Sequence, residues 1–308
     1  LGNSTWSDRD WTDYATSTRT VSAKTPADLF KATATTSTLN PLNIKLRESR
    51  DSAFNPESTP IIVALDETGS MGQIAVEIAK SGLGILFTEI LDRKPVSDPH
   101  LMFMGVGDVH SDRSPLQVSQ FEADAKIIEQ LEQLHIEQNG GGNSSESYHF
   151  PWYFAATHTS IDSFEKRGKK GYLFTFGDEL PPPPLTAAQI KQVCGDDVQG
   201  SLTTEELLVM ASKMYHVFHI IIAEGNYARS NLKNVQERWR DLMGQHALTC
   251  TDYTKLSEII VSTIQVIEGE EAASVTKTWT GATIGVVNTA IKDLVPHKQT
   301  SNGVVKCA

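Results

Sequence analysis

The sequence predicts an α/β domain built on a doubly wound, mostly parallel sheet with helices on both faces. Three observations point there. Apolar runs of strand length recur along the chain, stretches with helical spacing separate them, and loops containing Gly or Pro punctuate the junctions. Near-continuous apolar runs are what strands covered on both faces require.

Residues 1–58 are rich in Ser, Thr, Asp and Asn, with weak helical patterns at 7–16 and 25–34, and read as an N-terminal extension. Trp6, Trp11, Tyr14 and Phe30 are costly to leave bare and are expected to dock on the main body, the alternative being an interface for another molecule. From Pro60 the alternation begins. IIVAL (61–65) predicts a buried strand, 72–91 a helix and LMFMGVG (101–107) the next strand, which makes a βαβ start. LQVSQF (116–121) reads as a hairpin strand. A helix is predicted over 124–134, with Ile127, Ile128, Leu131 and Leu134 at helical spacing.

After the glycines at 140–142 a helix is predicted over 145–158, then a buried strand at YLFTFG (172–177), which the Pro181–Pro184 run cannot continue. The series closes with a helix at 203–215, a strand at HVFHIII (216–222), a helix at 230–243, a strand at ALTC (247–250) and a helix at 253–266. Beyond Gly269 the pattern weakens. A strand over 272–280 and a helix over 282–294 are expected within a C-terminal extension, 269–308, so the core domain spans 59–268.

Composition narrows the function classes. With 308 residues, 39% of them apolar, the chain can bury a large core. Its formal charge of −11 disfavours a nucleic-acid or anionic-membrane surface. The one basic run, EKRGKK (165–170), reads as a solvated turn. Cys194, Cys250 and Cys307 show no metal-ligand spacing, which fits a reducing compartment. The start, LGNSTWSDRDW, lacks a basic region leading into an apolar one, and no segment reaches the roughly 18 apolar residues of a membrane span. A cytoplasmic location is therefore expected. No P-loop sequence is present, so the chain supplies no ATPase of that kind.

Chemistry concentrates in PIIVALDETGSMG. Asp66 ends an apolar strand, and Thr68 and Ser70 follow at i+2 and i+4, in a loop that Gly69 and Gly72 allow to turn tightly before a helix. Short oxygen side chains at this spacing suit a hard divalent cation such as Mg2+, which takes oxygen ligands and keeps several waters. The same residue types also cap helix N-termini, which is the plainer reading of the spacing.

LDETGSMG resembles the metal-ion-dependent adhesion motif (MIDAS) of von Willebrand factor A domains, Asp-x-Ser-x-Ser, with Thr68 in place of the first Ser. The resemblance covers roughly 59–268 and implies a protein-recognition module of the intracellular bacterial or phage type. It implies a site for Mg2+, with Mn2+ or Ca2+ as alternatives, completed by a Thr from a Gly-rich loop and an Asp after a core strand. In FTFGDE, Asp178 matches that Asp. In QNGGGNSSESY the Thr is missing; Asn143, Ser144 or Ser145 stands there, Asn143 ranking first by its place after the glycines. Glu146 is either a contributor to the metal site or a first-turn acid favourable to a helix dipole. The implied partner is a protein offering an Asp or Glu carboxylate, with an AAA-type ATPase or an assembly as candidates, and no catalysis is expected.

Around this motif, Asp108 and Asp112 lie just past the second strand; Asp108 and His110 either reach the rim of the site or, on the plainer reading, are ordinary solvated loop residues, and Glu67 is expected to point away from the ligands as rim charge. His216 and His219, three apart on a strand, face opposite ways, while His135, His149, His158 and His246 have no companion spacing. Cys194 lacks a base partner and reads as an inert thiol. Two other functions compete. One is a structural or assembly component using its terminal extensions. The other is a phosphotransferase, since DETGS also resembles the DKTGT loop of haloacid-dehalogenase-like enzymes, with Asp66 as nucleophile. Thr68 and GDELPPPP match that family poorly.

Overall fold

A computed structural model describes residues 34–68, 83–124, 126–136 and 145–296, together with Ala32, Met71, Ile74, Val76 and Ile78. The expected docking of Trp6, Trp11, Tyr14 and Phe30 lies outside the described residues, as do residues 72, 73, 75, 77 and 79–82 of the helix expected at 72–91. Its continuous described part is α1 (Leu83–Arg93).

Eight strands are described: β1 (Arg47–Ser49), β2 (Thr59–Asp66), β3 (Pro99–Val106), β4 (Leu116–Val118), β5 (Thr159–Ile161), β6 (Gly171–Gly177), β7 (Tyr215–Ile222) and β8 (Ala247–Cys250). Six of them form the main sheet in the order β4-β3-β2-β6-β7-β8. All its neighbours are parallel except β4, which runs antiparallel to β3. The chain moves from β2 outward to β3 and β4, then returns to the other side of β2 with β6. The strand order therefore reverses between β2 and β6. Their carboxyl ends flank the crevice where open α/β sheets bind ligands.

Alternate residues of β2 supply two separate cores. Ile61, Val63 and Leu65 pack into one; Ile62 and Ala64 pack into the other. The first core receives Leu86 and Ile90 of α1, Ile259 and Ile260 of α8 (Leu256–Ile267), and Val287 of α10 (Thr283–Ile291). The second receives Trp152 of α3 (His149–Thr157), Ile190 of α5 (Ala187–Cys194), Leu207 of α6 (Thr204–Ala211) and Trp239 of α7 (Asn226–Met243). Helices cover both faces, as the apolar runs require. α3 is buried from His149 through Ala155, so it carries no polar face and no amphipathic signal.

Several elements depart from the sequence expectation. The expected helix at 124–134 is described as the shorter α2 (Lys126–Leu131). β1 and β5 pair in a separate two-stranded parallel sheet, just before the short α4 (Asp162–Arg167). Three residues each are too few to show a strand period. The helix α5 follows the proline run, opened by a reciprocal Thr186/Gln189 capping box.

The strand expected at 272–280 is instead the helix α9 (Ala272–Lys277). Helical spacing explains the correction: Val275 and Trp279, four apart, are both buried in the first core. Trp279 also donates from its indole Nε1 to Ser262 Oγ at 2.8 Å and lies 3.4 Å beneath the Arg93 guanidinium.

Candidate functional site: buried carboxylates at the switch point

Asp66 is the last residue of β2 and is fully buried. Its Oδ1 accepts hydrogen bonds from the Thr68 backbone N–H at 2.9 Å and the Thr68 hydroxyl at 2.6 Å. Its Oδ2 accepts from the Tyr148 hydroxyl at 2.7 Å. Asp66 and Thr68 are thus placed together, both buried, in a closed Asx-type turn. Ser70 and Asn143 lie outside the described residues, as does Ser144. Ser145 is half-buried at the edge of that segment.

Asp178 follows β6 across the crevice and is also fully buried. Its Oδ2 accepts from the Tyr227 backbone N–H at 2.8 Å, in the first turn of α7, where unpaired amides favour an anion. Two glycines make this closeness feasible. A Cβ on Gly225 would collide with the Asp178 side chain, and one on Gly177 would collide with the Tyr148 hydroxyl and lie 2.6 Å from Asp66 Oδ2.

Two further acids complete the cluster. Glu146 is 0% exposed, and neither of its carboxylate oxygens has a hydrogen-bond partner among the described residues. It lines a small cavity of about 10 Å³ with Asp108, Ser147, His149 and the Pro182–Leu185 wall. Such a space holds about one water-sized particle. Glu179 is 4% exposed.

Burial is the main reason Asp66, Glu146 and Glu179 are held above the usual carboxylate range, and repulsion from neighbouring acids adds to it. Asp66 is raised by burial and then by Asp178; Glu146 by burial and then by Asp66 and Glu179. Glu179 is pushed up to about 8 by burial and by Asp66, Asp178 and Asp108.

Tyr148 ties the cluster to the core. Besides donating to Asp66, its hydroxyl accepts from the Glu179 backbone N–H at 3.4 Å. Its ring lies 4.9 Å from His219 and 5.8 Å from Trp239, which stack on each other at 3.6 Å. His219 Nδ1 pairs with Thr175 Oγ1 at 3.0 Å. The aromatic floor excludes water below the carboxylates, which strengthens every electrostatic interaction above it.

Asp108 is buried against the cluster and is not a solvated loop residue: it is 2% exposed and acts on both Glu146 and Glu179. It closes a turn with Asp112, whose Oδ2 accepts from the Asp108 N–H at 2.7 Å. His110 is exposed and faces Gln189 instead. Glu67 corrects the expectation of rim charge. It is 2% exposed, packed over Gly105 of β3, and its Oε2 accepts from Gln117 Nε2 at 2.6 Å. The bare Cα of Gly105 leaves room for the carboxylate.

Glu179 and Tyr148 were not singled out from sequence. Glu179 sits beside Asp178 and resembles ordinary loop charge. Tyr148, 82 residues from Asp66, carries no local signal. Among the described residues, no three His, Cys, Asp or Glu side chains form a ready metal cage. The donors at hand are all oxygens, hydroxyls included, which suits a hard cation. Glu146, desolvated and unsatisfied, fits one. No described helix is long and apolar enough to cross a membrane.

No protein-family model and no curated protein matches the sequence. Several solved structures are similar in fold. The pilus adhesin SpaC from Lactobacillus rhamnosus GG aligns with a TM-score of 0.46 and 10% identity, covering 71% of this chain and 32% of that one. Proximal thread matrix protein 1 from the mussel byssus, with a zinc-occupied MIDAS motif, aligns with a TM-score of 0.41 and 12% identity over 68% of this chain and 47% of its own. A von Willebrand factor type A protein from Catenulispora acidiphila gives a TM-score of 0.37 and 14% identity, over 70% and 44%. The chain thus spans between about a third and a half of the length of these structures.

Proposed function

We propose that this chain is a cation-dependent protein-binding module of the von Willebrand factor A type, and not an enzyme. Asp66, Thr68, Ser70, Asn143 and Asp178 would hold the cation, Mg2+ by the chemistry of the donors, with Mn2+ or Ca2+ as alternatives. Bound there, the cation would offer an open position to an Asp or Glu carboxylate of a partner protein. The observation that carries the reading is Glu146: a fully buried carboxylate without a described partner, beside Asp66 at the switch point. A buried charge persists only when neutralised or paired, and a cation does this for the whole cluster at once.

Thr68 and Tyr148 fix the orientation of the Asp66 carboxylate and leave a lone pair on Oδ2 for a cation. Titration calorimetry with Mg2+, Mn2+ and Ca2+ tests the reading. Saturable binding by the wild type, lost in Asp66→Ala and weakened at least ten-fold in Asp178→Asn, is expected. A wild type that binds none of the three ions ends the proposal.

A further inference from the structure

At the opposite end of the sheet lies a cavity of about 630 Å³. It opens beside Thr59 and Pro99, the first residues of β2 and β3. Seven residue steps along β2 therefore separate it from Asp66, about 23 Å at the rise of a strand. Its volume falls in the range of small-molecule sites.

The lining is unlike the rest of this acidic chain. Lys94, Arg167, Lys169 and Lys170 face Glu57, Asp98 and Glu268, so the cavity carries a net positive charge within a protein of net charge −11. Two of the acids are already engaged. Asp98 Oδ2 accepts from the Glu57 N–H at 2.8 Å, and Glu268 Oε1 accepts from the Tyr172 hydroxyl at 2.5 Å. Two of the cations are also engaged. Arg167 pairs with Asp51 at 2.5 Å, and Lys170 donates to the Ser212 carbonyl at 2.5 Å. Lys94 and Lys169 have no ion-pair partner among the described residues and remain available. The basic run that reads from sequence as a solvated turn thus ends at a cavity mouth.

Two further features point to a ligand. Ser163 lines the cavity, is 1% exposed, and its hydroxyl has no hydrogen-bond partner among the described residues. Phe54 and Leu91 supply apolar lining, and Phe54 is 61% exposed, more than a large aromatic ring without a contact would be expected to be.

We propose that this cavity binds a small organic anion, its phosphate or carboxylate head held by Lys94, Lys169 and the Ser163 hydroxyl and its apolar body against Phe54 and Leu91. The site is separate from the carboxylate cluster and stands whether or not that cluster binds a cation.

The full chain titrated with phenyl phosphate, benzoate and inorganic phosphate, followed by calorimetry and by chemical-shift changes, tests it. Saturable binding of phenyl phosphate or benzoate is expected, weakened at least ten-fold in the Lys94→Gln/Lys169→Gln double variant and at least three-fold in Ser163→Ala. Preference between the two aromatic probes assigns the head group. Substitution of two lysines without described ion pairs should leave the melting temperature near that of the wild type, which separates lost binding from lost folding. Absence of saturable binding by either aromatic probe, or equal binding by the double variant, overturns the proposal. Inorganic phosphate binding as tightly as phenyl phosphate overturns the role of the apolar wall.

Discussion

The Tyr148 hydroxyl donates to Asp66 Oδ2 at 2.7 Å across 82 residues of sequence, inside the second core. This bond joins the carboxyl end of β2 to the start of α3 and holds the Asp66 carboxylate in one orientation. Tyr148→Phe removes the donor and keeps the ring. The variant should lose about 1–3 kcal/mol of stability without added cation, the cost of an unsatisfied buried acceptor. Denaturant unfolding in EDTA and in Mg2+ measures it, and the loss should shrink in Mg2+.

The carboxylate cluster sets a pH dependence. Glu179 has an ordinary value of 4.5 and is pushed up to about 8 in the folded chain, and Asp66 and Glu146 move the same way. Between about pH 4.5 and 8 the folded state therefore holds more protons than the unfolded state, so stability falls as pH rises through that window. Melting temperatures in EDTA should decline across it, and Mg2+ should restore them most at the alkaline end. A flat profile in EDTA would show that the acids are neutralised some other way.

Glycine substitutions separate close packing from chain flexibility. Gly225→Ala places a methyl group against Asp178, so it should destabilise by roughly 1–3 kcal/mol and reduce cation affinity together. Gly285→Ala, at an exposed position of helix α10 with open space around its Cα, should stabilise by about 0.5–1 kcal/mol and leave cation affinity unchanged.

Trp279 tests whether the segment after 268 belongs to the core. Its ring is 8% exposed, packs in the first core, donates to Ser262 and carries Arg93 on its face. Trp279→Ala should cost roughly 3 kcal/mol or more in chemical unfolding. A loss below about 1 kcal/mol would show that α9 and α10 are peripheral.

The sequence by itself determined the main sheet. Strands buried on both faces must be apolar at nearly every position, so IIVAL, LMFMGV, YLFTFG and HVFHIII are legible without any partner in view. It also placed Asp66, Thr68 and Asp178 at strand ends, because a charged or hydroxyl residue that stops an apolar run marks the rim of the sheet. Only the tertiary structure decided what surrounds them. Glu146, Tyr148 and Glu179 join Asp66 because the strand order reverses between β2 and β6 and brings their ends side by side. Glu67 is buried because Gly105, its neighbour on β3, has no side chain to exclude it. Residues 272–277 are helical because that spacing buries Val275 and Trp279 together. Each of these outcomes depends on contacts between distant segments, which no local period encodes.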